Sequence, residues 1–289
     1  MGDDRELFED LPVLHAPQSI NQSGLGQVWT QHKAQLIAKY IYLFTIITKH
    51  GAYIDGFSGP KNIQLENSWS AELVIETDPR RLRDIFLCDL EKKKVAHLRA
   101  LVDRQQDRDK RRYEIHEGDF NEKVHDILGS GRIREKTATF CLIDQFTIEC
   151  HWSTLQALAG HKPKGSRKIE IFYFLATGWL HRSLSGHTAN PQRPDLWWGG
   201  NGWQAIKTKS GDRIAVRMAE RFRDELGYRY VKPYPIFQRD KGGGKIMFHM
   251  IHASDHPDAA QLMARAHRNV TRAPETEEQL KLALSKITP

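Results

Sequence analysis

Residues 51–60 read GAYIDGFSGP, in which the apolar run Ala52-Tyr53-Ile54 is closed by an acid and then by glycine, phenylalanine, serine and glycine. This order predicts a short buried strand ending at Asp55 in a tight turn where backbone approaches a ligand. The bland alternative is a loop of ordinary turn residues. Ahead of it, from Trp29 to about His50, Leu36, Ile37, Tyr40, Ile41 and Phe44 recur at three- and four-residue spacing, the pattern of a helix with one buried face.

After it the chain alternates. The apolar runs at 85–89, 113–119, 139–144 and 168–175 are each strand-like, and helix-like stretches such as LEKKKVAHLRALVDRQ, FNEKVHDIL and HWSTLQALAG separate them. Strand and helix in turn predict a doubly wound, mostly parallel α/β sheet covered on both faces, the Rossmann-like plan. Further on, residues 228–237 and 245–253 flank Gly242-Gly243-Gly244 and predict an antiparallel hairpin, followed by a helix near 257–268. The expected division is an N-terminal extension and helix over 1–50 and one α/β domain over 51–289. Within that domain, 178–212 is an insertion rich in tryptophan and glycine.

Composition narrows the classes. No stretch nears the roughly 18 apolar residues of a membrane span, and the acidic start GDDRELFED lacks the grammar of a secretory signal, so a cytoplasmic protein without membrane contact is expected. Cys88, Cys141 and Cys150 show no metal-ligand spacing. A formal charge of +7 permits a nucleic-acid partner through phosphate contacts, although it also serves solubility alone.

Four consecutive predicted strands close on acids, Asp55, Asp89, Asp119 and Asp144. If the strands are neighbours, the four carboxylates line one crevice outside the carboxyl ends of the sheet. Each alone could instead cap the helix that follows. Asp55, Gly56, Phe57 and Gly59 would form the turn next to an adenosine cofactor. Asp89 would accept from two ribose hydroxyls, and Asp119 from an adenine amino group with Phe120 near the ring. The glycine pattern of a dinucleotide site is incomplete and the turn carries an acid, which repels pyrophosphate and tolerates a cation. S-adenosylmethionine fits that preference.

Tyr53-Ile-Asp-Gly-Phe-Ser-Gly-Pro60, together with Trp29-Thr-Gln-His-Lys33, Ser68-Trp-Ser-Ala71 and Leu142-Ile-Asp-Gln-Phe-Thr147, resembles the three-Cys-motif partner protein (TcmP) family over about residues 29–179. The resemblance implies a class I S-adenosylmethionine-dependent methyltransferase fold and partnership with a separate three-cysteine-motif protein. Asp55, Gly56, Phe57 and Gly59 match that family's D-G-F-A-G turn, with Ser58 in the alanine place; His32 and Lys33 match its element before the core. Asp144 and Phe146 match D-P-F-G, with Gln145 for proline and Thr147 for glycine. That element is similar to the D/N-P-P-Y/F motif of amino-group methyltransferases, which implies that Asp144 and Phe146 hold the acceptor.

The expected activity is therefore methyl transfer to a nucleic-acid base or another amino-group acceptor. The alternatives are a non-catalytic partner subunit and a metal-dependent nuclease using the clustered acids. His32 and Lys33, on the helix leading into the first strand, are candidate substrate contacts. Trp198, with Trp197 and Trp203, reads either as a stacking face for substrate or as a structural cap. No metal site is expected, since His249 and His252 fall on opposite faces of a strand.

Overall fold

The computed structural model describes residues 25–61, 68–105, 110–187, 190–237 and 245–271, with the side chains of 25–32 and 271 outside the description. Helix α1 (Leu25–Thr48) buries Leu36, Ile37, Tyr40, Ile41 and Phe44 against the sheet. It stops where Lys49 adopts a left-handed φ of 62° while its N–H still reaches Thr45 O at 3.0 Å, as a helix-terminating residue does. Strand β1 (Gly51–Asp55) starts two residues on, and it needs glycine there: a Cβ on Gly51 would sit 2.9 Å from both Ala138 O and the Phe44 ring.

The other strands are β2 (Leu82–Asp89), β3 (Arg112–Glu117), β4 (Thr139–Ile143), β5 (Glu170–Leu175), β6 (Tyr230–Phe237) and β7 (Ile246–Ser254). They form one sheet in the order β3-β2-β1-β4-β5-β7-β6. β1 to β5 run parallel; β7 is antiparallel to both β5 and β6. Helices α2 (Ser70–Glu76), α3 (Lys92–Asp103), α4 (Phe120–Gly129) and α5 (Trp152–Gly160) make the crossovers, and α6 (Leu180–Gly186), α7 (Gln192–Trp198), α8 (Gly211–Asp224) and α9 (Pro257–Thr271) follow. Strand residues alternate between two cores. Tyr53, Phe140 and Leu142 face α1, α2, α3 and α9, whereas Ile54, Cys141 and Ile143 face α4 to α8. Burial on both faces explains why β1 and β4 read as unbroken apolar runs.

The fold is thus the doubly wound, mostly parallel arrangement, with the seven-strand order and antiparallel C-terminal pair of class I methyltransferases. The triglycine turn lies outside the described residues. Among those described, no helix is long and apolar enough to cross a membrane.

The region 178–212 departs from the expected unpatterned insertion. It folds into α6, α7 and a 3₁₀ turn (Asn201–Ala205), and Trp197, Trp198 and Trp203 are core residues while Trp179 is half-buried. Trp197 Nε1 donates to Tyr173 Oη at 2.6 Å, Trp203 Nε1 donates to Asp195 Oδ1 at 2.6 Å, and the Arg221 guanidinium packs 3.6 Å from the Trp152 ring and 4.3 Å from that of Trp198. A few large rings bury much area without helical periodicity, so the pattern is silent while the packing is tight.

Candidate active site

The chain leaves β1 for β2 and β3 on one side and returns to β4 and β5 on the other, so strand order reverses between β1 and β4. In open α/β sheets the ligand crevice lies at that reversal, outside the carboxyl ends. Asp55 is the last residue of β1, Asp89 the last of β2, and Asp144 follows β4 directly. Three of the four predicted acids therefore stand side by side at the crevice. Asp119 lies two residues past β3, beyond Gly118 with its φ of 143°.

The turn after β1 is sewn to both neighbouring strands. Gly56 N donates to Leu142 O at 3.1 Å and Ser58 N to Cys88 O at 2.9 Å. Its glycines are needed for close approach: a Cβ on Gly56 would lie 2.6 Å from the buried Phe120 ring, and one on Gly59 would lie 2.5 Å from Asp89 Oδ2. Phe57 is half-buried and tilts against Phe120, with ring centroids 6.0 Å apart. Phe120 is thus a packing residue beneath the turn.

Asp89 accepts one amide on each oxygen, Gly59 N on Oδ2 and Glu91 N on Oδ1, both at 2.9 Å. Each oxygen keeps lone-pair capacity, so the carboxylate is oriented and still able to accept from two vicinal hydroxyls. Asp119 is differently employed. Its Oδ1 accepts from Asn121 N at 2.9 Å and from Asn121 Nδ2 at 2.8 Å, capping α4. Asn121 Oδ1 in turn accepts from His151 N and Thr154 Oγ1, tying α4 to the start of α5.

Asp55 and Asp144 differ in partners. Asp55 is buried, and its carboxylate accepts from Tyr53 Oη at 2.9 Å and Phe57 N at 3.2 Å. Among the described residues no basic side chain pairs with it. Burial pushes its carboxyl up to about 7 against these two hydrogen bonds, and the charges of Asp144 and Asp89 add to the rise. Asp144 carries Lys33 Nζ on Oδ1 and Lys61 Nζ on Oδ2, the latter at 2.9 Å. Burial alone would raise the Asp144 carboxyl, but the two ammonium groups outweigh it and hold the group below its ordinary range. Burial pulls Lys33 down from the ordinary lysine range, and Asp144 opposes that pull.

Lys33 lies in an aromatic box, 4.4 Å from the Phe174 centroid and 4.1 Å from that of Phe248. Phe248 meets Trp179 edge-on at 4.8 Å, and Trp179 tilts against Phe146 at 5.7 Å. The loop between β4 and α5 holds Phe146 outward. Gln145 Nε2 donates to Phe174 O at 3.3 Å, Gln145 Oε1 accepts from Cys150 N at 2.9 Å, and Thr147 N donates to Glu149 Oε2 at 2.6 Å. Gln145 and Thr147, the two departures from the D-P-F-G pattern, both serve that loop. Phe146 is left 66% exposed beside a buried ion pair.

Trp198 packs against Trp197 and the Arg221 guanidinium on the α4-to-α8 face; its edge joins Gly202, Ile206, Arg213 and Arg217 in lining a pocket of about 560 Å³. The contacts of Trp198 are those of the structural cap. The side chain of His32 lies outside the described residues. Lys61, Trp179 and Phe248 were not singled out by sequence, because nothing in their local pattern marks them. Among the described residues no group of three or more His, Cys, Asp and Glu converges as metal ligands. His249 instead meets Thr177 and Asp212, and His252 meets Glu170.

Comparison with protein-family models and with curated proteins gives no match. Among solved structures, the crystal structure of DszA carbon methyltransferase is similar at 14% identity and a TM-score of 0.41, over 71% of this chain and 47% of that one. The chain thus spans about half the length of that protein. The fold assignment above rests on strand order and direction, not on this likeness.

Proposed function

We propose that the chain is an S-adenosylmethionine-dependent methyltransferase. The observation that carries this reading is Asp55, a buried acid at the strand-order reversal without a basic partner among the described residues. A buried carboxyl in that position is incomplete by itself and becomes a strong site once a cation stands beside it, since opposite charges about 4 Å apart at an effective dielectric near 20 attract by roughly 4 kcal/mol. The cofactor supplies an electrophilic methyl group on a sulfonium, and it carries an ammonium group as well.

The residues present fit such a group. Asp89, held by the Gly59 and Glu91 amides, presents both oxygens to a ribose diol, and the glycines let the turn close onto Phe120 and Asp89, which fixes that carboxylate. Asp119 shares its carboxyl with the α4 cap and has one oxygen left for an adenine amino group. Asp144 and Phe146 border the place left for the acceptor, and catalysis by this chain is holding and orienting two reactants. The likeness of residues 53–60 to the TcmP turn supports the same reading. A nucleic-acid base is one acceptor that the net charge and the Phe146 face favour.

Calorimetric titration with S-adenosylmethionine at pH 8, on the wild type and on Asp89→Ala, tests this. Micromolar binding that the substitution weakens at least about tenfold is expected, roughly the loss of one charge-assisted hydrogen-bonded pair. A folded wild type that gives no binding overturns the reading.

A further inference from the structure

At the β4 end the described groups with unused capacity are donors and cations, while the acid with capacity to spare, Asp55, ends the neighbouring β1. Asp144 is the acid there, and both of its oxygens already hold an ammonium group; Lys61 Nζ also lies 3.4 Å from the Asp144 carbonyl. Lys33 and Lys61 thus leave neither Asp144 oxygen free of a nitrogen partner. Lys33 is enclosed by Phe174 and Phe248, whereas the Lys61 side chain is 36% exposed and so is the cation an incoming molecule would meet. The indole N–H of Trp179 is buried and has no acceptor among the described residues, an arrangement that leaves a donor unsatisfied. Beside these donors stands the exposed Phe146 ring, a face for a planar molecule.

An amino acceptor would ask for the reverse. It needs a carboxylate with charge to spare, to accept its N–H and draw off its proton, and surroundings that do not repel an ammonium ion. Both oxygens of Asp144 are already taken. Resting on the methyltransferase reading of the same site, we propose that the methyl acceptor is a planar aromatic molecule bearing an anionic oxygen, stacked on Phe146 and paired with Lys61. The acceptor oxygen's lone pair forms the new bond to the methyl carbon as the carbon–sulfur bond breaks with its electron pair left on sulfur. A negative acceptor and a positive sulfonium then both end neutral, and no proton has to be removed.

Binding of three probes of one shape, 2-naphthoate, 2-naphthamide and 2-naphthylmethylammonium, separates the possibilities by calorimetry on the full chain, with and without S-adenosylmethionine. The expected order is naphthoate at least about tenfold tighter than the amide, with the ammonium probe weakest, a span of one charge-assisted contact. Lys61→Met should bring naphthoate down to the level of the amide, Lys61→Arg should restore most of the difference, and Phe146→Ala should weaken naphthoate and the amide together. Circular dichroism checks that each variant is folded. Equal binding of the three, preference for the ammonium probe, absence of binding, or a preference that survives Lys61→Met overturns the proposal. The two readings fail separately: naphthoate preference without S-adenosylmethionine binding removes the methyltransferase reading and keeps an aromatic-anion site, and the opposite result does the reverse.

Discussion

Asp55 and Asp144 end adjacent parallel strands, yet Asp144 is clasped by Lys33 and Lys61 while Asp55 is buried with only a tyrosine hydroxyl and an amide for partners among the described residues. Two acids of one crevice thereby acquire opposite tasks. Asp144 is a settled ion pair that fixes α1 and the loop after β1 to the end of β4. Asp55 is an unsettled charge, and on the proposed methyltransferase reading its cost is recovered when the cofactor's cation arrives.

That difference has a measurable sign. The Asp55 carboxyl rises from its ordinary 3.8 to about 7 on folding, so its contribution to stability is fully present below the unfolded value and is lost as pH rises through about 7. Asp55→Asn should therefore stabilise the unliganded protein at pH 8 by about 1–3 kcal/mol and by less at pH 5.5. The same substitution should weaken S-adenosylmethionine binding at least about tenfold. Wild-type affinity should fall by about tenfold between pH 8 and pH 6, and the variant should lose that dependence. Urea denaturation and calorimetry at the stated pH values check both; a destabilised variant at pH 8 would refute the unpaired-charge account.

The turn glycines make a second prediction. In Gly56→Ala the new methyl meets the buried Phe120 ring at 2.6 Å, and in Gly59→Ala it meets Asp89 Oδ2 at 2.5 Å and Lys94 Cβ at 2.4 Å. Each should destabilise by about 1–3 kcal/mol through overpacking. Gly59→Ala should also displace the Asp89 carboxylate and, if that group holds the ribose as proposed, reduce S-adenosylmethionine affinity more than its stability loss would suggest. Gly160→Ala, at the end of α5 with nothing within 4 Å, should be neutral or stabilising by up to about 1 kcal/mol. Thermal unfolding of the three variants decides the matter.

The alternation of apolar runs and amphipathic stretches carried the parallel sheet, because strands buried on both faces must be apolar throughout. The same logic carried Asp55, Asp89 and Asp144, each standing where such a run leaves the core. Asp119 stands apart, since Gly118 adds a turn between strand and acid and the carboxylate also caps α4. That logic was silent on Lys61. That residue reaches Asp144 across 83 positions, and Lys33 does so across 111, so the pairings exist only once strand order is known. The tryptophan-rich region reads in sequence either as a stacking face or as a cap, because three rings fill the core with no periodic signal to announce them.

Asp119 is a test of two duties on one side chain. Asp119→Ala removes the α4 cap and should cost about 1 kcal/mol, while Asp119→Ser keeps a capping oxygen and should recover most of that loss. If the second carboxylate oxygen contacts adenine, Asp119→Ser should still bind S-adenosylmethionine several-fold more weakly than the wild type. Equal affinity in the serine variant, measured by calorimetry, would leave Asp119 as a cap alone.

Lys33 and Asp144 should behave as one unit. Lys33→Met places an unbranched thioether between Phe174 and Phe248 and leaves Asp144 with Lys61 alone, so it should destabilise by about 3 kcal/mol, as breaking a buried pair does. Adding Asp144→Asn removes the stranded charge, and the double variant should regain about 2 kcal/mol of that loss. The pH dependence fixes the cause. In the wild type the Asp144 carboxyl sits below its ordinary range, so the pair's stabilisation is present above that range and is lost as pH falls through it. In Lys33→Met the Asp144 carboxyl, held by Lys61 alone, takes up a proton more readily, and the variant also lacks the buried Lys33 amine, lowered to about 7, whose protonation costs the wild type stability as pH falls, so the gap to wild type should narrow between pH 8 and pH 5.5. Urea denaturation of the four members of the cycle at both pH values is the measurement, and additive effects with a gap that does not change with pH would show that Lys33 stabilises through its packing rather than its charge.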